Sequence, residues 1–343
     1  MFFRLHQRGP LGYRCRVDGH PELLREIQRE IDRARDGRIP FARFMELALY
    51  HPRYGYYTGP ERIGKQGDYF TSVSVGPLFG KLLAKQFVKF REELGNPAEF
   101  EVVEFGGHRG QLRADAVAAA PDLRYRVIET GDPLPDSIVG CVFSNEFLDA
   151  LPVHVVQVKD GTWQEVYVGA GFQETLGPLS TSRLADHLCG LPVEHMEGYR
   201  TEVNLRALDW LADVAWRLKR GWIVTIDYGY ERHEYFAPHH RDGTLLCYHQ
   251  HTKTTNPYAN IGEQDITAHV EFTSLIEHGK KLGLEPVLFT DQAHYLLQIG
   301  EPEIAEIVER TAGQPSKERT AIHQLIHPEL MGRVFKVLVQ RKV

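Results

Sequence analysis

The chain has 343 residues, with 40 Lys+Arg against 46 Asp+Glu and hence a formal net charge of −6. That balance argues against a whole-protein nucleic-acid or membrane-surface binder. At 42% hydrophobic and 25% charged residues the composition is that of a soluble globular protein, long enough for two domains or one with insertions. No apolar run reaches the roughly 18 residues a transmembrane helix needs.

Cys15, Cys141, Cys189 and Cys247 form no Cys-x-x-Cys pair, which removes zinc-ribbon and thioredoxin-type motifs and makes reduced thiols the expectation. Arg4, Arg8, Arg14 and Arg16 precede the first acid, Asp18. An organelle transit segment has that charge pattern, but this one is short and lacks Ser, so the composition reads as cytoplasmic.

Helical spacing runs from Pro21 to about Tyr50, with Pro40 in the first turn of a second helix ahead of Phe41, Phe44, Met45 and Ala48. From His51 to Ser72, Gly55, Gly59, Gly64 and Gly67 alternate with Tyr54, Tyr56, Tyr57 and Tyr69. This stretch is too permissive for a helix and too aromatic for a solvated linker; it is a loop pinned on the core or a binding lid. From Phe100 the pattern turns α/β. Glu101 to Phe105 is an apolar run ending in glycines, Leu112 to Ala120 a helix, Tyr125 to Glu129 a second strand and Val139 to Asn145 a third. Strand–helix–strand order predicts parallel pairing. Thr130 to Ile138 is too short for a crossover helix, so the arrangement is trimmed after the second strand.

Asp160-Gly161 marks a hairpin between Val153 to Val158 and Thr162 to Val168. Leu205, Leu208, Leu211, Ala215 and Leu218 share a helical stripe that Gly221 closes, and Trp222 to Ile226 is a buried strand ending at Asp227-Tyr228-Gly229. After a His-rich excursion from Glu231 to Gln264 come a helix over 271–282, a strand over 285–290, helices around 303–311 and 317–326, and a last strand from Val334 to Gln340. The expected organisation is a helical N-terminal section carrying the aromatic loop over 1–95. An α/β core with an open mixed sheet follows over 96–343, with insertions at about 153–200 and 230–265.

Ligands of open α/β sheets bind beyond the carboxyl ends of the strands. Polar clusters stand at those ends: Glu104 to Gly110, Asn145 to Pro152, and Asp227 to Gly229. The glycines Gly106, Gly107 and Gly110 let backbone approach a ligand at a helix N-terminus. Glu129 closes the second strand about 20 residues further on, in register for ribose hydroxyls.

The segments PFARFMELALYHPRYGYYTG, GDYFTS, the glycine loop, SNEFLDALPVH, VTIDYG and DITAHVEF together resemble the MidA-like (DUF185) methyltransferases, in the same order and over about residues 21 to 300. That family includes a mitochondrial complex I assembly factor that methylates protein arginine. The resemblance implies a class I, Rossmann-like fold, S-adenosyl-L-methionine as cofactor, and transfer at the Asn145 turn. Asp68, Thr71 and Ser72 would close over the cofactor, with Glu104, Gly106, Gly107, Gly110 and Glu129 on the sheet side. Two departures stand out. Gly107 and His108 replace a proline and a glycine of the family loop, and the segment after Glu129 is short.

If the acceptor is a protein arginine, its charged guanidinium has no free lone pair. Carboxylates must grip it and receive the proton, and Glu146 and Asp149, with Asp227 opposite, are suited to that. Gln264 to Thr267 and His269 are assigned to substrate-side scaffold. The 17 histidines include His239-His240 and the pair His249 and His251, which would share one strand face. No carboxylate at metalloenzyme spacing joins them, so no metal is expected. A noncatalytic assembly or binding protein that has lost the cofactor is the alternative, and a small-molecule methyltransferase a third reading.

Overall fold

The computed structural model describes residues 17–58, 72–107, 110–193 and 195–343. Asp68 and Thr71 of the expected lid, and His108, lie outside the described residues. Helices α1 (Pro21–Arg33) and α2 (Phe41–Tyr50) are separated by the strand β1 (Arg38–Pro40). Pro40 thus ends a strand and caps α2 instead of lying within its first turn. Next come α3 (Leu78–Glu93), β2 (Glu101–Phe105), α4 (Gln111–Ala119), β3 (Arg124–Ile128) and β4 (Ile138–Asn145). The middle of the chain supplies β5 (His154–Lys159), β6 (Thr162–Gly169), β7 (Glu174–Gly177), α5 (Ser182–Leu188) and β8 (Arg200–Val203). Then follow α6 (Leu205–Arg217), β9 (Leu218–Tyr230), α7 (Arg232–Tyr235), β10 (Leu246–His249), β11 (Thr252–Thr254), β12 (Asp265–Thr267) and β13 (Val270–Glu271). The end is α8 (Phe272–Lys281), β14 (Glu285–Asp291), α9 (Gln292–Arg310), α10 (Lys317–Ile326) and β15 (Phe335–Lys342).

Among the described residues the principal sheet runs β14-β15-β9-β4-β2-β3, with β13 joining the end of β9. β3, β2, β4 and β9 are mutually parallel, and β15 is antiparallel to both β9 and β14. β3 is the edge strand. The chain then passes back across β2 to reach β4 without a helix, the trimming expected from the length of that segment. Helices cover both faces, as a parallel sheet requires. Phe79, Leu83 and Phe87 of α3 pack on one side with Phe143, Trp222 and the C-terminal helices. Leu211, Val214 and Phe272 of α6 and α8 pack on the other with Val142 and Ile223.

A second sheet, β1-β6-β5-β8 with β7 on β6, carries α1 and α2 on its face. The first two helices therefore pack on this second sheet, whereas α3 packs on the principal sheet. In the histidine-rich excursion α7 and a short 3-10 turn carry His233, His239 and His240, and a small sheet of β11, β10 and β12 carries His249. His249 ends β10, but His251 sits in the turn with φ 63°, so the two do not share a strand face.

Gly221 does not close a helix. α6 ends at Arg217 and β9 starts at Leu218, a fully buried residue; Gly221 is inside that strand, opposite Gly140 of β4. A Cβ on Gly221 would lie 1.9 Å from the Gly140 carbonyl oxygen, and φ is 135° there. Gly221→Ala is therefore expected to lower stability by about 3 kcal/mol or more, seen as a fall in the urea midpoint. An unchanged midpoint would show that β4 and β9 part without cost. The helix expected around 303–311 begins earlier, at Gln292, and kinks at Gly300 ahead of Pro302. The proline breaks the periodicity, so only the second segment shows in the sequence pattern.

Candidate active site

β2, β4, β9 and β14 all deliver their carboxyl ends to one side of the sheet. At the end of β2, Gly106 (φ 68°) and Gly110 (φ 67°) turn the chain into α4, with Gly110 as its cap. The Gly106 N–H donates to Ile128 O at 3.0 Å, which ties this turn to the end of β3 and sets exposed Glu129 beside it. A Cβ on Gly107 would meet the Glu104 carboxyl at 2.7 Å and Val127 at 2.8 Å; one on Gly106 would meet Phe147 at 2.9 Å. The turn passes between those side chains only as glycine. Glu104 is buried, with the Tyr125 hydroxyl beside its carboxyl. Burial, against the Tyr125 hydrogen bond that lowers it and with Glu129 nearby, pushes its carboxyl up to about 7.

Beyond β4 the chain turns sharply at Glu146, whose φ of 50° is in the left-handed region. A non-glycine residue held there costs about 1–3 kcal/mol and marks a place where geometry is imposed by the surroundings. Asp227, fully buried at the end of β9, imposes it. Its Oδ2 accepts the N–H groups of Leu148 (2.8 Å), Phe147 (3.2 Å) and Asp149 (3.4 Å), and its Oδ1 that of Tyr228 (2.9 Å). From sequence, Asp227 stands opposite Glu146 and Asp149, the two carboxylates assigned to grip the acceptor. In the structure its Oδ2 braces the turn, and its Oδ1 is held by the next residue of its own strand.

Glu146 Oε1 accepts the Ser72 N–H at 3.1 Å and the Asn145 amide at 2.9 Å. Glu146 Oε2 and Asn145 Oδ1 are buried without a partner among the described residues. Burial, then Asp227 and Asp265, raise the Glu146 carboxyl to about 8 against the hydrogen bonds that lower it. Asp149 is likewise driven far above the ordinary carboxylate range, by burial and by Asp227, Asp265 and Glu146. No described Lys or Arg forms an ion pair with Glu146, Asp149 or Asp227.

The sequence assigns Asp265 only to scaffold, within Gln264 to Thr267. It is fully buried on β12 and accepts the Tyr57 hydroxyl at 2.7 Å. Tyr57 stacks on Tyr50, whose hydroxyl donates to Ala150 O at 3.0 Å. The Ala268 N–H donates to Asp149 O at 2.9 Å, so the DITAHV segment is bonded directly to the turn. Its only sequence signal was the motif itself. Ser72, from the end of the expected lid, also reaches the buried Gln292 at the start of α9 (3.0 Å), a residue no pattern singled out.

The residues suit the cofactor. Gly106 and Gly107 bring bare backbone into the turn ahead of α4, Gly110 caps that helix, and the buried Glu104 carboxyl beside them is an acceptor for a ligand's ammonium or hydroxyl. A family model described as an S-adenosyl-L-methionine-dependent methyltransferase matches residues 128–290. The crystal structure of a COG1565 superfamily member from Burkholderia thailandensis, bound to S-adenosyl-homocysteine, has a TM-score of 0.84 and 32% identity, covering 94% of this chain and 92% of that one. The protein arginine methyltransferase NDUFAF7 homolog of Drosophila melanogaster is 26% identical, covering 93% of this chain and 85% of its own. The Rattus norvegicus protein is 25% identical, with 91% and 83% covered. Both are named as mitochondrial, which overturns the cytoplasmic placement; the lack of Ser in a short basic segment does not exclude an organelle address. By this fold and this likeness the chain belongs to the MidA-like family of S-adenosyl-L-methionine-dependent methyltransferases.

Proposed function

We propose that the chain methylates a guanidinium nitrogen of arginine in a protein partner. The observation that carries this reading is a surplus of buried acceptors at the Asn145 turn. Glu146 Oε2 and Asn145 Oδ1 lack donors among the described residues, and Asp149 and Asp265 stand beside them. A guanidinium brings five N–H donors and a positive charge, which is what such a cluster lacks. The relatives named as protein arginine methyltransferases support the same acceptor.

S-adenosyl-L-methionine, when bound, supplies an electrophilic methyl group. Gly106, Gly107, Gly110, Glu104 and Glu129 would hold it, with Ser72 and, from outside the described residues, Asp68 and Thr71. Glu146 and Asp149, as carboxylates, bind the acceptor's N–H groups and draw its charge to one side. Lone-pair density is thereby left on the attacking nitrogen. The new N–C bond forms as the S–C bond breaks, and the proton that nitrogen sheds passes to Glu146. Asn145 orients Glu146, and Asp227 holds the turn.

The test is incubation with methyl-labelled S-adenosyl-L-methionine and an extract from cells lacking the protein, followed by hydrolysis and amino-acid analysis. Label is expected in methylarginine. Label confined to lysine or to small molecules would sink the acceptor assignment. Tight S-adenosyl-homocysteine binding without any labelled product would mark a noncatalytic protein.

A further inference from the structure

One buried side chain at this end of the sheet has no part in the reaction as described. Gln292 is fully buried at the first position of α9, immediately after β14. Its Nε2 donates to Leu325 O at 3.0 Å, which fixes the amide against the C-terminal end of α10. Its Oε1 accepts the Ser72 hydroxyl at 3.0 Å. Ser72 is itself fully buried, and its backbone N–H donates to Glu146 Oε1 at 3.1 Å. The line from α10 to the transfer turn is thus Leu325 O, Gln292, Ser72, Glu146, each link a hydrogen bond of ordinary length.

We infer that Gln292 is a positioning residue for methyl transfer: by anchoring the Ser72 hydroxyl it aims the Ser72 N–H at Glu146, and so favours the carboxylate form that binds the acceptor. This rests on the role proposed for Glu146. Three features favour it over a packing role. A fully buried amide that uses both ends on defined partners is costly to place unless its orientation matters. Ser72 bonds Gln292 through its hydroxyl and Glu146 through its backbone N–H, so one short residue couples the amide to the carboxylate. Glu146 has only two donors among the described residues, the Asn145 amide and the Ser72 N–H. The second is the one Gln292 controls, and a donor to a buried carboxylate favours its ionised form.

The full-length enzyme tests this through the pH profile of kcat/KM, measured with the methyl-labelling assay, beside Gln292→Met, Ser72→Ala and the double variant. Gln292→Met keeps the volume but anchors nothing. Its profile midpoint is expected to move up by about one pH unit, with the high-pH plateau within about twofold of the parent. Ser72→Ala should move the midpoint the same way, and the double variant no further than the larger single shift, because the two residues act through one link. Urea unfolding of each variant, with S-adenosyl-homocysteine calorimetry on Gln292→Met, confirms a folded protein. A plateau that falls while the midpoint stays would overturn the inference and leave Gln292 a packing residue, as would additive shifts in the double variant. If Glu146→Gln retains parental activity, the role of Glu146 fails first, and this inference with it.

Discussion

Glu146→Gln is expected to lower kcat/KM about 10²–10⁴-fold while S-adenosyl-homocysteine binding stays near that of the parent. Glutamine has nearly the same shape, so the Ser72 and Asn145 hydrogen bonds can persist and the strained φ of 50° is unchanged. What disappears is the charge that binds a cation and the base that receives its proton. Calorimetry with S-adenosyl-homocysteine beside methyl-transfer kinetics separates the two effects. Equal losses in both would mean that the substitution damages the cofactor side instead.

The same carboxyl dictates a pH dependence. Burial and the neighbouring carboxylates raise Glu146 to about 8. The acceptor-binding form is the ionised one, so kcat/KM of the parent should rise with pH and level off above about 8. A profile that falls across that range would contradict the role. The stability linkage has the opposite sense. Folded-state values above the unfolded ones mean that the folded chain binds more protons, so this contribution is full below the unfolded pKa and is lost as pH rises through about 8. A guanidinium ligand should offset that loss.

Asp227→Ala is expected to destabilise the protein by about 3–5 kcal/mol, and Asp227→Asn by distinctly less. Alanine leaves four backbone N–H groups of the turn and of Tyr228 without their acceptor in a site closed to water. Asparagine retains one oxygen and loses the other. Urea unfolding of the three proteins gives the comparison directly. If alanine and asparagine cost the same, the charge of Asp227 matters and its bracing does not. Asp227 is itself raised to about 7, chiefly by burial. Its contribution is therefore also strongest at acid pH and fades as pH rises through about 7, so the alanine variant should show a flatter stability profile there.

Much of the site was legible from residue order alone. Glycines after an apolar run, an acid closing the next strand and Asn-Glu-Phe-x-Asp after a third define positions at strand ends, and strand ends in a parallel sheet share one edge. The short link after Glu129 announced the missing crossover because a helix cannot fit in it. Local chemistry suffices where the constraint is local: a period, a turn, a length.

The rest depended on contacts between distant segments. β1 is three residues long and pairs with β6; Arg38-Ile39-Pro40 is too short to show an alternating period. Gly221 looked like a helix stop because a glycine after a helical stripe commonly is one. Its reason is instead the Gly140 carbonyl on the next strand. Asp227 carries the same side chain whether it faces a substrate or braces a turn, and only the positions of the three turn amides it accepts show the brace. Asp265 and Gln292 reach the transfer turn through Tyr57 and Ser72, across 208 and 220 residues of sequence. Hydrogen bonds over such separations leave no period or spacing to read; they exist only once the sheet has brought its strand ends together.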